Sequence, residues 1–217
     1  MNELAEKLKR KARYLAYRTK NKNKDFTLIC QNCLGGLIYS VLDLPFTSPT
    51  INLYIEDENF VKLANDPVRY LSVPAEPYIE RYADPVDPSV VYPKIRVDDI
   101  EICCLHYKSC AEAVDAWERR RKRANLSNIY IIGNSWNCHE NEDLIRQVAA
   151  APYPTVVFTL REIEIPGCIK LPGDFWKADK RGIVRPNITD EKPGSLKRYF
   201  EDFFDFVSWL NGGEAKK

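Results

Sequence analysis

Phe26-Thr27-Leu28-Ile29-Cys30-Gln31-Asn32-Cys33-Leu34-Gly35-Gly36 is the stretch on which the fold turns. Its first half, Phe26 to Cys30, is a short apolar run rich in β-formers, the pattern of a strand covered on both faces. Gln31 to Gly36 breaks that run at once with turn formers. Leu37 to Leu42 then reads as one or two helical turns. A buried strand that breaks into a glycine turn and a helix is the opening of a β-α unit, and repetition of such units builds a parallel sheet.

The rest of the chain repeats the alternation. Apolar runs at 100–106, 129–132 and 155–158 predict three more strands, sharing one mostly parallel sheet with 26–30. Helical periodicity covers Glu56–Leu71, Ser109–Ala124, Glu140–Ala150 and Leu196–Leu210. Ser109-Cys-Ala-Glu112 is a capping-box signature for the second of these. Residues 72–93 are rich in proline and read as a long loop or an extended excursion with an edge strand. After residue 160 glycine and proline interrupt the pattern. The expected class is α/β with helices flanking the sheet. The expected organisation is a basic N-terminal helix over 1–24 and one α/β domain over 25–217.

The composition sets outer limits. The chain has 217 residues, 45% apolar and 29% charged, with a net charge of +1. That suits an ordinary globular core and argues against a globally basic nucleic-acid binder. No run approaches the ~18 apolar residues of a membrane span. The N-terminal residues carry charge where a secretion signal needs its apolar core. An odd number of cysteines, seven, fits a reducing compartment. These features together point to the cytoplasm.

Charge is uneven in place. Residues 1–24 hold nine Lys or Arg against Glu3 and Glu6. Leu4, Leu8, Ala12, Leu15 and Ala16 recur there at helical spacing. The plain expectation is a helix that docks its apolar edge on the domain and solvates the rest. The alternative is a helix lying on an anionic membrane, with residues 1–20 in peripheral contact. A second basic run, Arg119-Arg-Arg-Lys-Arg123, ends the helix after Ser109. Part of it complements the helix dipole. The remainder suits a phosphate, as in a sugar nucleotide or an acyl-carrier thioester, and points away from nucleic acid because no aromatics interleave it.

The chemistry-bearing residues gather around the opening stretch. A cysteine just before a helix, here Cys33, feels amide dipoles that favour a thiolate, and the paired glycines let backbone approach a ligand. Cys30 and Cys33 form a C-x-x-C, but no second pair exists to complete a zinc site. The chain has two histidines, His106 and His139. His106 ends the 100–106 strand. If that strand and 26–30 are parallel neighbours, His106 and Cys33 open onto one sheet edge as base and nucleophile. Asp98, Asp99 and Glu101 lie at the far end of the strand, so Asp43 or Asp57 are the open choices for an acid that orients the imidazole. His139 reads as a loop residue before a helix.

These motifs form a set. Phe26 to Gly36, Thr47-Ser-Pro-Thr50, Leu105-His-Tyr-Lys-Ser109, Ala113-Val-Asp-Ala-Trp-Glu-Arg-Arg120 and Phe204-Asp-Phe-Val-Ser-Trp-Leu-Asn211 resemble a bacterial family known as a domain of unknown function. Gln31 stands where that family has a first Asn, and Leu34 where an aromatic is common. The resemblance covers nearly the whole chain. It implies a Rossmann-like α/β domain and a cytoplasmic role in exopolysaccharide or lipooligosaccharide biosynthesis, without assigning a reaction. It also implies that the marked positions are Asn32, Cys33, Gly35, Gly36, Ser48, Pro49, His106, Tyr107, Trp117 and Arg120.

The resulting expectation is a transferase acting on a surface-glycan precursor, by acyl transfer through Cys33 and His106. Asn32, Gly35, Gly36, Ser48, Tyr107, Arg119, Arg120 and Arg123 are the expected binding residues, with a sugar, a sugar nucleotide or an acyl donor as partner. No metal ligand set and no cofactor is assigned. Two alternatives stay open. One is a glycosyltransferase using Asp98, Asp99 or Glu101 to hold a metal. The other is a non-catalytic carbohydrate or nucleotide-sugar binding module.

Overall fold

The computed structural model describes residues 3–85, 87–135, 141–171, 176–178, 184–186, 188–192 and 194–216. The chain divides into two compact units. One comprises residues 25–36 and 46–170, the other 1–24, 37–45 and 171–217.

The first of these is mixed α/β. Its parallel sheet takes β1 (Thr27–Cys30), β5 (Ile129–Asn134), β6 (Thr155–Thr159) and β7 (Cys168–Lys170) in the order β1-β5-β6-β7. Both β1 and β5 are buried at every position, as their unbroken apolar runs require. Helices α3 (Asp57–Asn65) and α6 (Glu142–Ala149) pack together over the sheet. They press on Gly133 of β5, where a Cβ would stand 3.0 Å from Val148 and 3.3 Å from Phe60. A side chain there would press on both helices. The helix expected over 56–71 is two, α3 and α4 (Pro67–Ser72), because Pro67 pushes Asp66 out of helical geometry. Asp66 then caps the second, accepting from the Arg69 amide.

The strand expected at 100–106 does not join that sheet. It ends at Cys103 as β4 (Ile100–Cys103) and belongs to an antiparallel sheet, order β2-β3-β4, with β2 (Ala75–Ala83) and β3 (Val91–Val97). The cause is local. Asp98 and Asp99 form a two-residue turn between β3 and β4, with Asp98 at φ 54°, a left-handed geometry that aspartate tolerates. So tight a turn commits β4 to its predecessor, Val97 facing Ile100. The proline-rich segment therefore supplies an edge strand, β2, and the start of β3. Pro77 sits on the outer strand, β2. The Pro93 carbonyl accepts from the Cys104 amide just beyond the last β3–β4 pair, where a missing N–H costs little.

Helix α5 (Cys110–Arg121) packs on β2 and β3. Ser109 caps it as expected, accepting from the Glu112 amide at 3.2 Å, while the Glu112 carboxylate reaches back to the Lys108 amide at 3.0 Å. Ile29, Ile131 and Val157 of one sheet and Ile95, Val97 and Ile102 of the other share one apolar core with Phe60 and Trp117.

The other unit contains α1 (Glu3–Lys20), most of α2 (Leu34–Leu42), the paired strands β8 (Trp176–Ala178) and β9 (Val184–Pro186), and α7 (Phe200–Phe203) and α8 (Phe206–Leu210). The single helix expected over 196–210 is thus two short ones, parted at Phe204-Asp205. Asp205 caps α8 through the Ser208 amide, and its own amide donates to the Ala215 carbonyl. Phe206 contacts Phe200, Phe204 and Tyr17 edge-on or tilted, which buries the aromatics of this stretch. Helix α1 buries no residue fully, and its docking face is polar. Arg13 donates to the fully buried Glu201 at 2.6 Å, Arg10 to Glu191 at 3.2 Å, and Arg18 to the Val41 carbonyl at 2.9 Å. The expected docking through its leucines is overturned. The Arg13 pair gives the buried Glu201 carboxylate its counter-charge, a requirement that outweighs placing a few leucines.

Candidate functional site

Cys33 Sγ lies 3.4 Å from His106 Nε2. The two residues come from different sheets, so the contact is assembled by loops. On one side β1 runs out at Cys30, and Gln31 adds one more backbone bond to Ile132. Asn32 turns the chain, its Oδ1 accepting from the Leu34 amide at 3.0 Å and from the Cys30 thiol at 3.4 Å. Helix α2 starts at Leu34 and runs straight through Gly35-Gly36, so the glycine turn is the helix's first turn, with Cys33 immediately before it. A Cβ on Gly35 would stand 3.0 Å from the Cys30 Cβ, and one on Gly36 3.2 Å from Ile51 and Asn52. The glycines set the closeness of the helix's first turn to β1, next to Cys33.

On the other side β4 ends at Cys103, and a tight turn follows, closed by the Tyr107 amide donating to the Cys104 carbonyl. His106 occupies that turn and is exposed. The segment 48–54 joins the two arms. The Thr50 hydroxyl accepts from the Cys30 amide at 3.1 Å and contacts the Ser48 hydroxyl at 3.0 Å. Four residues beyond Thr50, Tyr54 and Cys103 exchange two backbone bonds of 2.9 Å. Arg120 braces the assembly from α5. Its Nη1 donates to the Tyr107 hydroxyl at 2.7 Å and to the Ile51 carbonyl at 3.0 Å, with the guanidinium 5.7 Å from the Phe46 ring centre.

The expected site residues therefore separate. Cys33, His106, Asn32, Gly35 and Gly36 meet around one point. Tyr107 and Arg120 hold the His106 arm in place. Ser48 is fully buried and fastens the connecting segment. Arg119 is exposed and faces Asp115 at 3.2 Å, while Arg123 is exposed at the end of the helix. Of the acids considered for orienting His106, Asp57 accepts from Gln31 at 2.6 Å and Asp43 pairs with Arg18 at 3.4 Å. Asp98 and Asp99 pair with Arg69 and Lys62, and Glu101 with Lys94. No group of three or more His, Cys, Asp or Glu with metal-binding geometry occurs among the described residues. His139 and Cys138 lie outside them.

A second polar feature at the same sheet edge escaped sequence reasoning. Gln31, fully buried, donates to Asp57 and accepts from the Asn134 amide and side chain at 3.1 Å. It lines a cavity of about 10 Å³, room for one water, and Asn134 Oδ1 beside it has no protein hydrogen bond. The signal available was an amide side chain placed directly after an apolar strand.

Burial pushes the Cys33 thiol above its ordinary range. The amides of α2 act in the opposite direction. Cys30, Cys103 and Cys104 are buried more deeply, and desolvation pushes each up to about 12. Cys33 is thus a half-exposed thiol beside a base, in a chain whose other thiols on β1 and β4 are sealed.

Comparison with known proteins places the chain in a wider group. The family described as "Domain of unknown function (DUF1919)" matches residues 4–211. An uncharacterized protein of Haemophilus influenzae is 28% identical over 190 residues, covering 87% of this chain and 85% of that protein. No described helix is long and apolar enough to cross a membrane.

Proposed function

The chain belongs to the DUF1919 family, and from that premise we propose that it is a transferase of surface-glycan assembly that carries an acyl group on Cys33. The 3.4 Å contact between Cys33 and an exposed histidine is the observation that supports this reading. In the proposed cycle His106 Nε2 takes the Cys33 proton as the sulfur attacks the carbonyl carbon of an acyl thioester or ester. The tetrahedral adduct collapses, the donor's leaving group departs with the proton from His106, and a thioester stays on Cys33. An acceptor hydroxyl of the glycan precursor then gives its proton to His106 and attacks that thioester. The Cys33 sulfur leaves and recovers the proton.

Asn32 and the two glycines position the nucleophile, and Tyr107 and Arg120 position the base. In the same reading the parallel sheet is a Rossmann-like platform presenting the site at the carboxyl end of β1, the usual ligand edge of such sheets. The glycan setting and a cytoplasmic location rest on the motif resemblance. Asp98, Asp99 and Glu101, which a metal-dependent glycosyltransferase would need, already face cations.

The test is intact-mass analysis after incubation with a panel of acyl thioesters. The expected result is a single acyl adduct, mapped to Cys33, released by hydroxylamine and absent in Cys33→Ala. It should form far more slowly in His106→Ala. No adduct from any donor would remove acyl transfer.

A further inference from the structure

Helix α1 is mounted with its polarity reversed. Its arginines and tyrosines face its own unit, through the Arg13–Glu201 and Arg10–Glu191 pairs and the Tyr17–Phe206 contact at 5.0 Å between ring centres. Its leucines face water. Leu4, Leu8 and Leu15 are 63%, 59% and 64% exposed, more than any other large apolar side chain among the described residues. At 3.6 residues per turn these three, with Ala12 and Ala16, form one continuous stripe, and Leu4 to Leu15 runs roughly 16 Å along the axis. Lys7 and Lys11 border the stripe on one side and Lys9 and Lys20 on the other, all exposed, with Lys7 also reaching Glu3 at 2.6 Å and Lys9 reaching Glu6 at 2.8 Å.

We infer that this outward face is a docking surface for an anionic membrane, with the leucines entering the headgroup boundary and the lysines meeting the lipid phosphates. The arrangement of charge selects that occupant. An apolar stripe rimmed on both sides by lysine is the pattern of a helix lying in the membrane interface. Protein interfaces, in contrast, are depleted in lysine. The geometry also supplies what a surface-binding helix otherwise lacks, since α1 is already folded and held from behind by ion pairs and pays no ordering cost on the membrane. This inference stands on α1 alone and does not depend on the chemistry of Cys33.

Co-sedimentation of the full chain with vesicles of phosphatidylcholine alone, or of phosphatidylcholine with 30% phosphatidylglycerol, tests it. The expected result is binding to the anionic vesicles, at least tenfold weaker to the neutral ones, and reduced by raised salt. The variant Leu4→Asn/Leu8→Asn/Leu15→Asn should lose at least tenfold in binding while keeping its melting temperature, because the three side chains are already in water. In Leu8→Trp the new indole should be quenched by brominated lipid in anionic vesicles. No binding by the native chain, binding unchanged in the triple variant, or no quenching at position 8 would each overturn the proposal. So would a triple variant that melts lower than the native chain. A native dimer in light scattering that the triple variant abolishes would overturn it in favour of a second copy as the occupant.

Discussion

Replacing His106 by Ala isolates what the imidazole does for Cys33. The two groups stand 3.4 Å apart in a site open to water. A thiolate and an imidazolium at that separation attract by about 1 kcal/mol under water-like screening. That corresponds to roughly five- to tenfold more thiolate at neutral pH, since 1.36 kcal/mol is one pKa unit. Burial works against the thiolate and pushes Cys33 upward, so without the histidine the group should be unusually sluggish. The assay is iodoacetamide labelling with peptide mapping between pH 6.5 and 10. Native Cys33 should react roughly five- to tenfold faster than Cys33 in His106→Ala at pH 7. The ratio should shrink as pH rises past the ordinary thiol range of about 8.5, later than for an exposed thiol because of the burial. His106→Gln, which can hydrogen-bond but cannot take the proton, should behave like Ala. Cys30, Cys103 and Cys104, pushed up to about 12, should stay unlabelled until the chain unfolds. Equal rates for native and His106→Ala at pH 7 would show that no proton passes between the two groups, and the relay through His106 would fall with it.

Two further outcomes follow from packing and charge. Gly35→Ala brings a methyl to 3.0 Å from the Cys30 Cβ, so an overpacking cost of about 1–3 kcal/mol should exceed the helix-propensity gain of about 0.5–1 kcal/mol. Urea unfolding should show a net loss, and Cys33 labelling should change with it; a stabilised variant would mean that the helix start yields freely. Asp99 accepts from the Tyr70 hydroxyl at 2.8 Å and from Lys62 at 3.0 Å, and these bonds hold its carboxyl below the usual aspartate value. A lowered folded pKa gives stability that is present above about pH 3.9 and disappears as pH falls through the folded value. The gap between native and Asp99→Asn chains should therefore be open at pH 7 and closed in strong acid, and an equal gap at both would rule the pairing out as its source.

Much of the parallel sheet was legible because its strands are sealed on both faces and so read as unbroken apolar runs, Thr27 to Cys30 and Ile129 to Ile132 above all. The antiparallel sheet was not, and the reason is specific. Prolines at 74, 77, 85, 88 and 93 mask a pair of strands, and the Asp98-Asp99 turn lacks the glycine that marks most two-residue hairpins. With β4 assigned to the wrong sheet, Cys33 and His106 were expected to meet as neighbours on one edge. They do meet, 73 residues apart in sequence, but through the 48–54 segment, whose Thr50 and Ser48 hydroxyls accept from the Cys30 and Thr50 amides. Chemistry identified the pair because few residue types can serve as nucleophile and base, whereas topology depends on turns that composition disguises. Helix α1 teaches the complementary limit. Periodicity fixes that its leucines share a stripe, but it carries no sign and cannot say which side of the helix meets the protein. That choice was made elsewhere, by a buried Glu201 that needs Arg13, and the leucines were left facing outward as a consequence.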